Sequence, residues 1–178
     1  MALARNLTAR ESTLPDGYYL AGRASYELRD FKSAATRFGR ARALAPHSVV
    51  YIHAMARALE NSGAGKRAAA AYQEVLNRQP RDVLALLRLG AIAFGSGDLA
   101  QSERRFRQVL EIDPGSAHAE SNLGSVAAKR GDLRAAERHF LRAIEMDPRV
   151  DNAHFNLGLL CLDHGDLERA ETEFRKEI

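Results

Sequence analysis

Four of the five prolines in this chain, Pro46, Pro80, Pro114 and Pro148, stand 34 residues apart. In the same register lie Gly22, Ala56, Gly90, Gly124 and Gly158, then Ala34, Ala68, Ser102, Ala136 and Ala170, then Phe38, Tyr72, Phe106, Phe140 and Phe174. A recurrence of this length marks a tandem array in which one supersecondary unit is copied and each copy completes the interior of the next. It overrides the expectation from length alone, by which 178 residues make one or two globular domains. The columns define units at 15–48, 49–82, 83–116, 117–150 and 151–178, preceded by residues 1–14, which are expected to form a short capping helix.

The period also disposes of a false lead. The stretch NSGAGKRAAA, residues 61–70, has the look of a phosphate-binding loop. That loop needs a first glycine where Glu60 stands, a hydroxyl residue where Arg67 stands, and a buried strand upstream. The upstream residues VYIHAMARALEN instead carry apolar side chains at helical spacing. Gly63 falls in a column with Gly97, Gly131 and Gly165 and reads as the turn between two helices.

The fourth unit shows how each copy is built. Ser116 is expected to cap a first helix, A, whose apolar stripe is Leu123, Val126 and Ala127, with Gly124 giving room for a neighbour to pass close. Helix A stops near Gly131, Asp132 caps a second helix, B, and Leu133, Ala136, Phe140, Ala143 and Ile144 recur along it. Pro148 ends B, because proline lacks an N–H and disfavours helix in the residue before it.

Composition narrows the function classes. With 46% apolar and 28% charged residues the chain is not of the disordered type. No run of eighteen apolar residues exists, so no membrane insertion is expected. The opening MALARNLTARESTL lacks an apolar secretory core, which makes the cytoplasm the expected location. A net charge of +3 and a pI of about 9.2 invite a nucleic-acid reading. The arginines, however, alternate with Glu103, Glu111, Glu137 and Glu145, the pattern of solvated ion-paired helix faces, so no nucleic-acid partner is expected. The single cysteine, Cys161, lies between Leu160 and Leu162 and reads as a small buried hydrophobe. No G-x-S-x-G, H-E-x-x-H or Cys/His ligand spacing occurs, and the six histidines are scattered. The chain is therefore read as a non-enzyme with no cofactor, no catalytic residues and no metal.

The segments LLRLG, SNLG and FNLG, followed by GDL, an aromatic at Phe106, Phe140 or Phe174, and Asp113-Pro114 or Asp147-Pro148, closely resemble the tetratricopeptide repeat. The likeness covers residues 15–178, with looser first and second units: Arg29 replaces the turn glycine of the first, and Gly65 stands where the others have Leu or Phe. It implies an all-α, right-handed superhelical solenoid of antiparallel helix pairs, five repeats with the last incomplete. Its A helices line a concave groove that takes a peptide or a partner helix. Carrying over the family's groove-facing positions gives Tyr19, Arg23, Tyr26, His53 and Arg57 in the first two units, Leu87, Arg88 and Phe94 in the third, and Asn122, Lys129, Phe155, Asn156 and Leu159 in the last two.

Among the family's binding modes, the clamp for a peptide carboxylate needs several convergent Lys, Arg and Asn donors, and only Arg88 fits. A short ladder of amides at Asn122 and Asn156 suits an extended peptide backbone. Leu87, Phe94, Phe155 and Leu159 suit an amphipathic helix, although part of this apolar set is expected to be core between neighbouring A helices. The resulting expectation is a scaffold for a protein partner. Two alternatives stand beside it: a targeting or assembly arm of a larger enzyme, and head-to-tail self-association through Ala170, Phe174 and Ile178, which are expected to be left partly uncovered.

Overall fold

A computed structural model describes residues 14–163 and 165–176. Ten helices are present among the described residues: α1 (Pro15–Glu27), α2 (Phe31–Leu44), α3 (Val49–Asn61), α4 (Gly65–Arg78), α5 (Val83–Ser96), α6 (Leu99–Ile112), α7 (Ala117–Lys129), α8 (Leu133–Met146), α9 (Ala153–Asp163) and α10 (Leu167–Lys176). Odd-numbered helices are the A helices and even-numbered ones the B helices. The chain divides into two compact units, the first ending at Ala85 and the second beginning at Leu86. The expected capping helix and Ile178 lie outside the described residues, apart from Leu14, which is exposed.

Each A-to-B turn is built by the same backbone device. Arg29, Gly63, Gly97, Gly131 and Gly165, spaced 34 residues apart, all take positive φ, from 58° at Arg29 to 85° at Gly97. The N–H after each returns to the carbonyl five residues earlier, as Asp132 does to Ala127 and Asp166 to Cys161, which uses up carbonyls left open at the helix end. Arg29 adopts this left-handed state without the freedom of glycine, at a cost of roughly 1 kcal/mol.

Four B helices begin with an aspartate whose side chain accepts an N–H of the first turn. Asp30 accepts from Ser33, Asp98 from Gln101, Asp132 from Ala135 and Asp166 from Arg169. In α4 the same place is held by Ala64, which offers no such bond. Among the A helices, α5 is capped in the same way, Asp82 accepting from Ala85, but the expectation for Ser116 needs correction: its side chain makes no capping bond. Its carbonyl accepts from Ala119 and Glu120, while the side chain of Asp113 in the preceding turn takes the N–H of Gly115. The B-to-A connection is thus closed by the Asp-Pro turn rather than by the serine hydroxyl.

Packing inside a repeat centres on one contact. A Cβ at Gly124 would lie 2.6 Å from the Phe140 ring, and one at Gly90 would lie 2.5 Å from Phe106. The glycine lets α7 approach α8 until the ring lies against bare backbone. Gly22 with Phe38 and Gly158 with Phe174 repeat the arrangement. Phe106 and Phe140 are buried, and with Leu123, Val126, Leu157 and Leu160 they fill the interior of the second unit. Ala170 is 1% exposed, which overturns the expectation that it is uncovered, because it lies in the column of small residues enclosed by the hairpin. Phe174 is half-buried, its ring 5.6 Å from that of Phe155.

Candidate protein-binding faces

In the first unit the sequence-selected residues divide into packed and exposed. Tyr19 is half-buried, its ring 5.6 Å from Phe38 and 5.3 Å from Tyr51. The Tyr51 hydroxyl donates to Asp16, and that bond, followed by burial, pushes the phenol above its ordinary value. Tyr26 and Arg57 come together, with the guanidinium 4.4 Å over the ring, and the Asn61 amide donates to the Tyr26 oxygen. His53 is half-buried and is held through Nε2 by Asp82, at 2.9 Å. Arg23 and Arg57 are exposed and one repeat apart, so this face is aromatic at its base and basic at its surface.

The second unit presents a different face. Leu87 and Phe94 pack partly buried against Phe106, Leu123 and Val126, so they are support rather than free anchors. Lys129 covers Phe94 with its ammonium 4.5 Å from the ring centre and donates to the Phe94 carbonyl. Arg88 is exposed, and Asn156 is half-buried. Asn122 turns inward on its own helix, Nδ2 donating to the His118 carbonyl at 2.7 Å. Phe155 and Leu159 are exposed, and Leu162, which the sequence reading passed over, extends them. The three recur at i, i+4 and i+7 on α9, while Leu157, Leu160 and Cys161 on the opposite side are buried. Burial pushes the Cys161 thiol up, so it stays protonated and behaves as a packing group. Among the described residues no helix is long and apolar enough to cross a membrane, and no cluster of three His, Cys, Asp or Glu side chains could hold a metal ion.

The chain matches two family models, both described as tetratricopeptide repeat, over residues 82–149 and 121–178. The fold is shared with solved structures that carry little sequence likeness. A tetratricopeptide repeat protein from Parabacteroides merdae superposes with a TM-score of 0.85 at 19% identity, over 97% of this chain and 70% of that one. MamA from Desulfovibrio magneticus RS-1 gives 0.78 at 20% identity, over 92% of both chains. Pseudomonas aeruginosa pilF gives 0.77 at 16% identity, over 92% of this chain and 74% of that one. This chain belongs to the tetratricopeptide repeat family. No curated protein matches it by sequence. Tetratricopeptide repeats serve in general as scaffolds for protein–protein interaction.

Within its repeats this tetratricopeptide protein buries polar groups that the sequence reading did not find. Glu120 of α7 is 1% exposed and meets His139 of α8, Nδ1 lying 2.7 Å from Oε2, with Arg142 Nε at 3.2 Å from Oε1. One repeat later, His154 of α9 meets Glu173 of α10 at 2.7 Å, and Lys176 Nζ lies 2.9 Å from the same carboxylate. Burial alone pushes the Glu173 carboxyl up, but the bonds from His154 and Lys176 outweigh it and hold it below its ordinary value. His154 is buried, as Glu173 is. The signal was present in the repeat alignment, since 120 and 154 share one column and 139 and 173 another.

Proposed function

We propose that this protein binds an amphipathic helix of a partner protein on the A-helix face of its second unit, anchored by Phe155, Leu159 and Leu162. The observation that carries the reading is the exposed apolar stripe of α9. A helix that is apolar on both sides is normally covered on both sides, and here one side faces solvent among the described residues. The spacing of the stripe matches the pitch of a helix laid along it. The amide ladder is the weaker mode, because the Asn122 donor is already committed to His118.

The test is comparative capture. Immobilised wild-type chain and a Leu159→Glu/Leu162→Glu variant are exposed to the same extract, with circular dichroism showing that both retain the fold. A partner held by the wild type and lost by the variant supports the reading, and its binding segment is then synthesised and titrated. Identical retained proteins on both matrices would place the interaction elsewhere.

A further inference from the structure

Repeats four and five share the residues at the close approach inside each hairpin. Leu123 and Leu157, Gly124 and Gly158, Ala136 and Ala170, and Phe140 and Phe174 fill equivalent positions. The critical contact has the same dimensions in both, a glycine Cβ position lying 2.6 Å from Phe140 in one and 2.5 Å from Phe174 in the other. Apolar fit therefore does little to distinguish the correct hairpins, α7 with α8 and α9 with α10, from crossed hairpins of α7 with α10 and α9 with α8. Crossed hairpins are a misassembly open to any repeat protein whose units fit one another's partners, within one chain or between two.

The buried polar pair does distinguish them, because its polarity reverses between the two repeats. The fourth repeat places the carboxylate, Glu120, on helix A and the imidazole, His139, on helix B. The fifth places the imidazole, His154, on A and the carboxylate, Glu173, on B. The cation one turn along B is retained in both, as Arg142 and Lys176. Crossing α7 with α10 would set Glu120 against Glu173, two carboxylates where the native structure leaves 1% and 7% of the residues exposed. Crossing α9 with α8 would set His154 against His139 beside Arg142, with no carboxylate to accept from them. Each crossed hairpin thus buries uncompensated polar groups, whereas each native hairpin satisfies them. The second repeat has Ile52 and Ala71 in the same two columns, both buried, so its helices would leave a charged partner from either later repeat unmet.

We propose that the reversed Glu/His pairs are a pairing code, which keeps α7 from pairing with α10 and α9 from pairing with α8, whether within one chain or between two copies. The experiment is to unfold the chain in guanidinium, refold it at increasing protein concentration and measure the oligomer fraction by size exclusion with light scattering. In His154→Glu/Glu173→His both repeats have one polarity, and crossed hairpins become satisfied. The oligomer fraction is expected to rise at least about tenfold at the highest concentration, because the penalty for burying uncompensated charge no longer opposes crossed pairing. Adding Glu120→His and His139→Glu to that variant reverses the other repeat as well, so the two polarities again differ. The fourfold variant is expected to refold as cleanly as the wild type.

A double variant that refolds without extra oligomer would overturn the proposal. So would a fourfold variant that oligomerises as much as the double. If the double variant loses its helical signal even when refolded dilute, where exchange between copies cannot occur, the orientation of the pair serves local stability and the code is refuted.

Discussion

Ser102 shows what one atom costs inside a column of otherwise uniform chemistry. The equivalent residues are Ala34, Ala68, Ala136 and Ala170, each at most 1% exposed, and Ser102 is equally buried. Its hydroxyl finds no hydrogen-bond partner among the described residues. A buried donor without a partner costs on the order of 1–3 kcal/mol, so Ser102→Ala is expected to stabilise the chain by about 1 kcal/mol, read from a shift in the denaturant midpoint. Gly124 is expected to behave in the opposite way. Helix propensity alone favours alanine by about 1 kcal/mol, but the new Cβ would lie 2.6 Å from the Phe140 ring, deep in the core. Overpacking wins, and Gly124→Ala is expected to lose roughly 1–3 kcal/mol in the same measurement. The glycine and aromatic columns were legible because size at a close approach leaves a periodic trace. Glu120 and Glu173 leave a fainter trace, the exchange of Glu and His between two columns, since a charged residue on an amphipathic helix otherwise reads as solvated until the facing helix is known.

For the helices, the informative comparison is between the five B helices and how they begin. Asp30, Asp98, Asp132 and Asp166 cap their helices, while Ala64 holds the same column with a backbone at φ −86° and ψ 52°, near the −84° and 76° of Asp132. Because the conformation is already that of its neighbours, Ala64→Asp is expected to gain about 1 kcal/mol by satisfying an N–H at the start of α4. Thermal melts of the two proteins at neutral pH check it, and an unchanged Tm would show that solvent already serves that N–H equally well. The α9–α10 hairpin makes a second prediction, on the acid side. Glu173 has its folded pKa held below the ordinary value, so its contribution is present above the unfolded pKa and is lost as pH falls through the folded one. Wild-type stability is therefore expected to fall more steeply below about pH 4 than that of Glu173→Gln, whose amide does not titrate. Parallel pH profiles would mean that the carboxylate gains nothing from His154 and Lys176. The turns and B-helix caps of these hairpins were readable from Gly, Asp and Pro. The Ser116 cap was misread because serine before a helix has two ways to help, through its hydroxyl or its carbonyl, and the Asp113 turn selects the second.

The fold of the whole chain was legible because a repeat states its architecture several times over, and noise in one copy, such as Arg29 or Gly65, is outvoted by the others. The binding face was less legible for a physical reason. An apolar residue on an A helix serves either the neighbouring helix or a partner, and sequence does not separate Leu87 and Phe94, which are partly buried in the core, from Phe155 and Leu159, which are exposed. The same repetition governs how the chain folds. Side-chain bonds that tie one repeat to the next bridge short stretches: Tyr51 to Asp16, Asn61 to Tyr26 and Lys129 to Phe94 each close 35 residues, and Arg42 to Glu74 closes 32. Within a repeat, Glu120 to His139 and His154 to Glu173 close only 19. Loop closure of this size costs little entropy, and each hairpin gains its buried ring as soon as its own two helices meet. Most of the refolding amplitude is thus expected within microseconds to milliseconds, the range of helical proteins dominated by local contacts. Stopped-flow circular dichroism after dilution from guanidinium measures it directly. If the main phase instead takes seconds, the rate-limiting step is an encounter between distant parts of the chain, and stability would not be the sum of neighbouring hairpins that the 34-residue period implies.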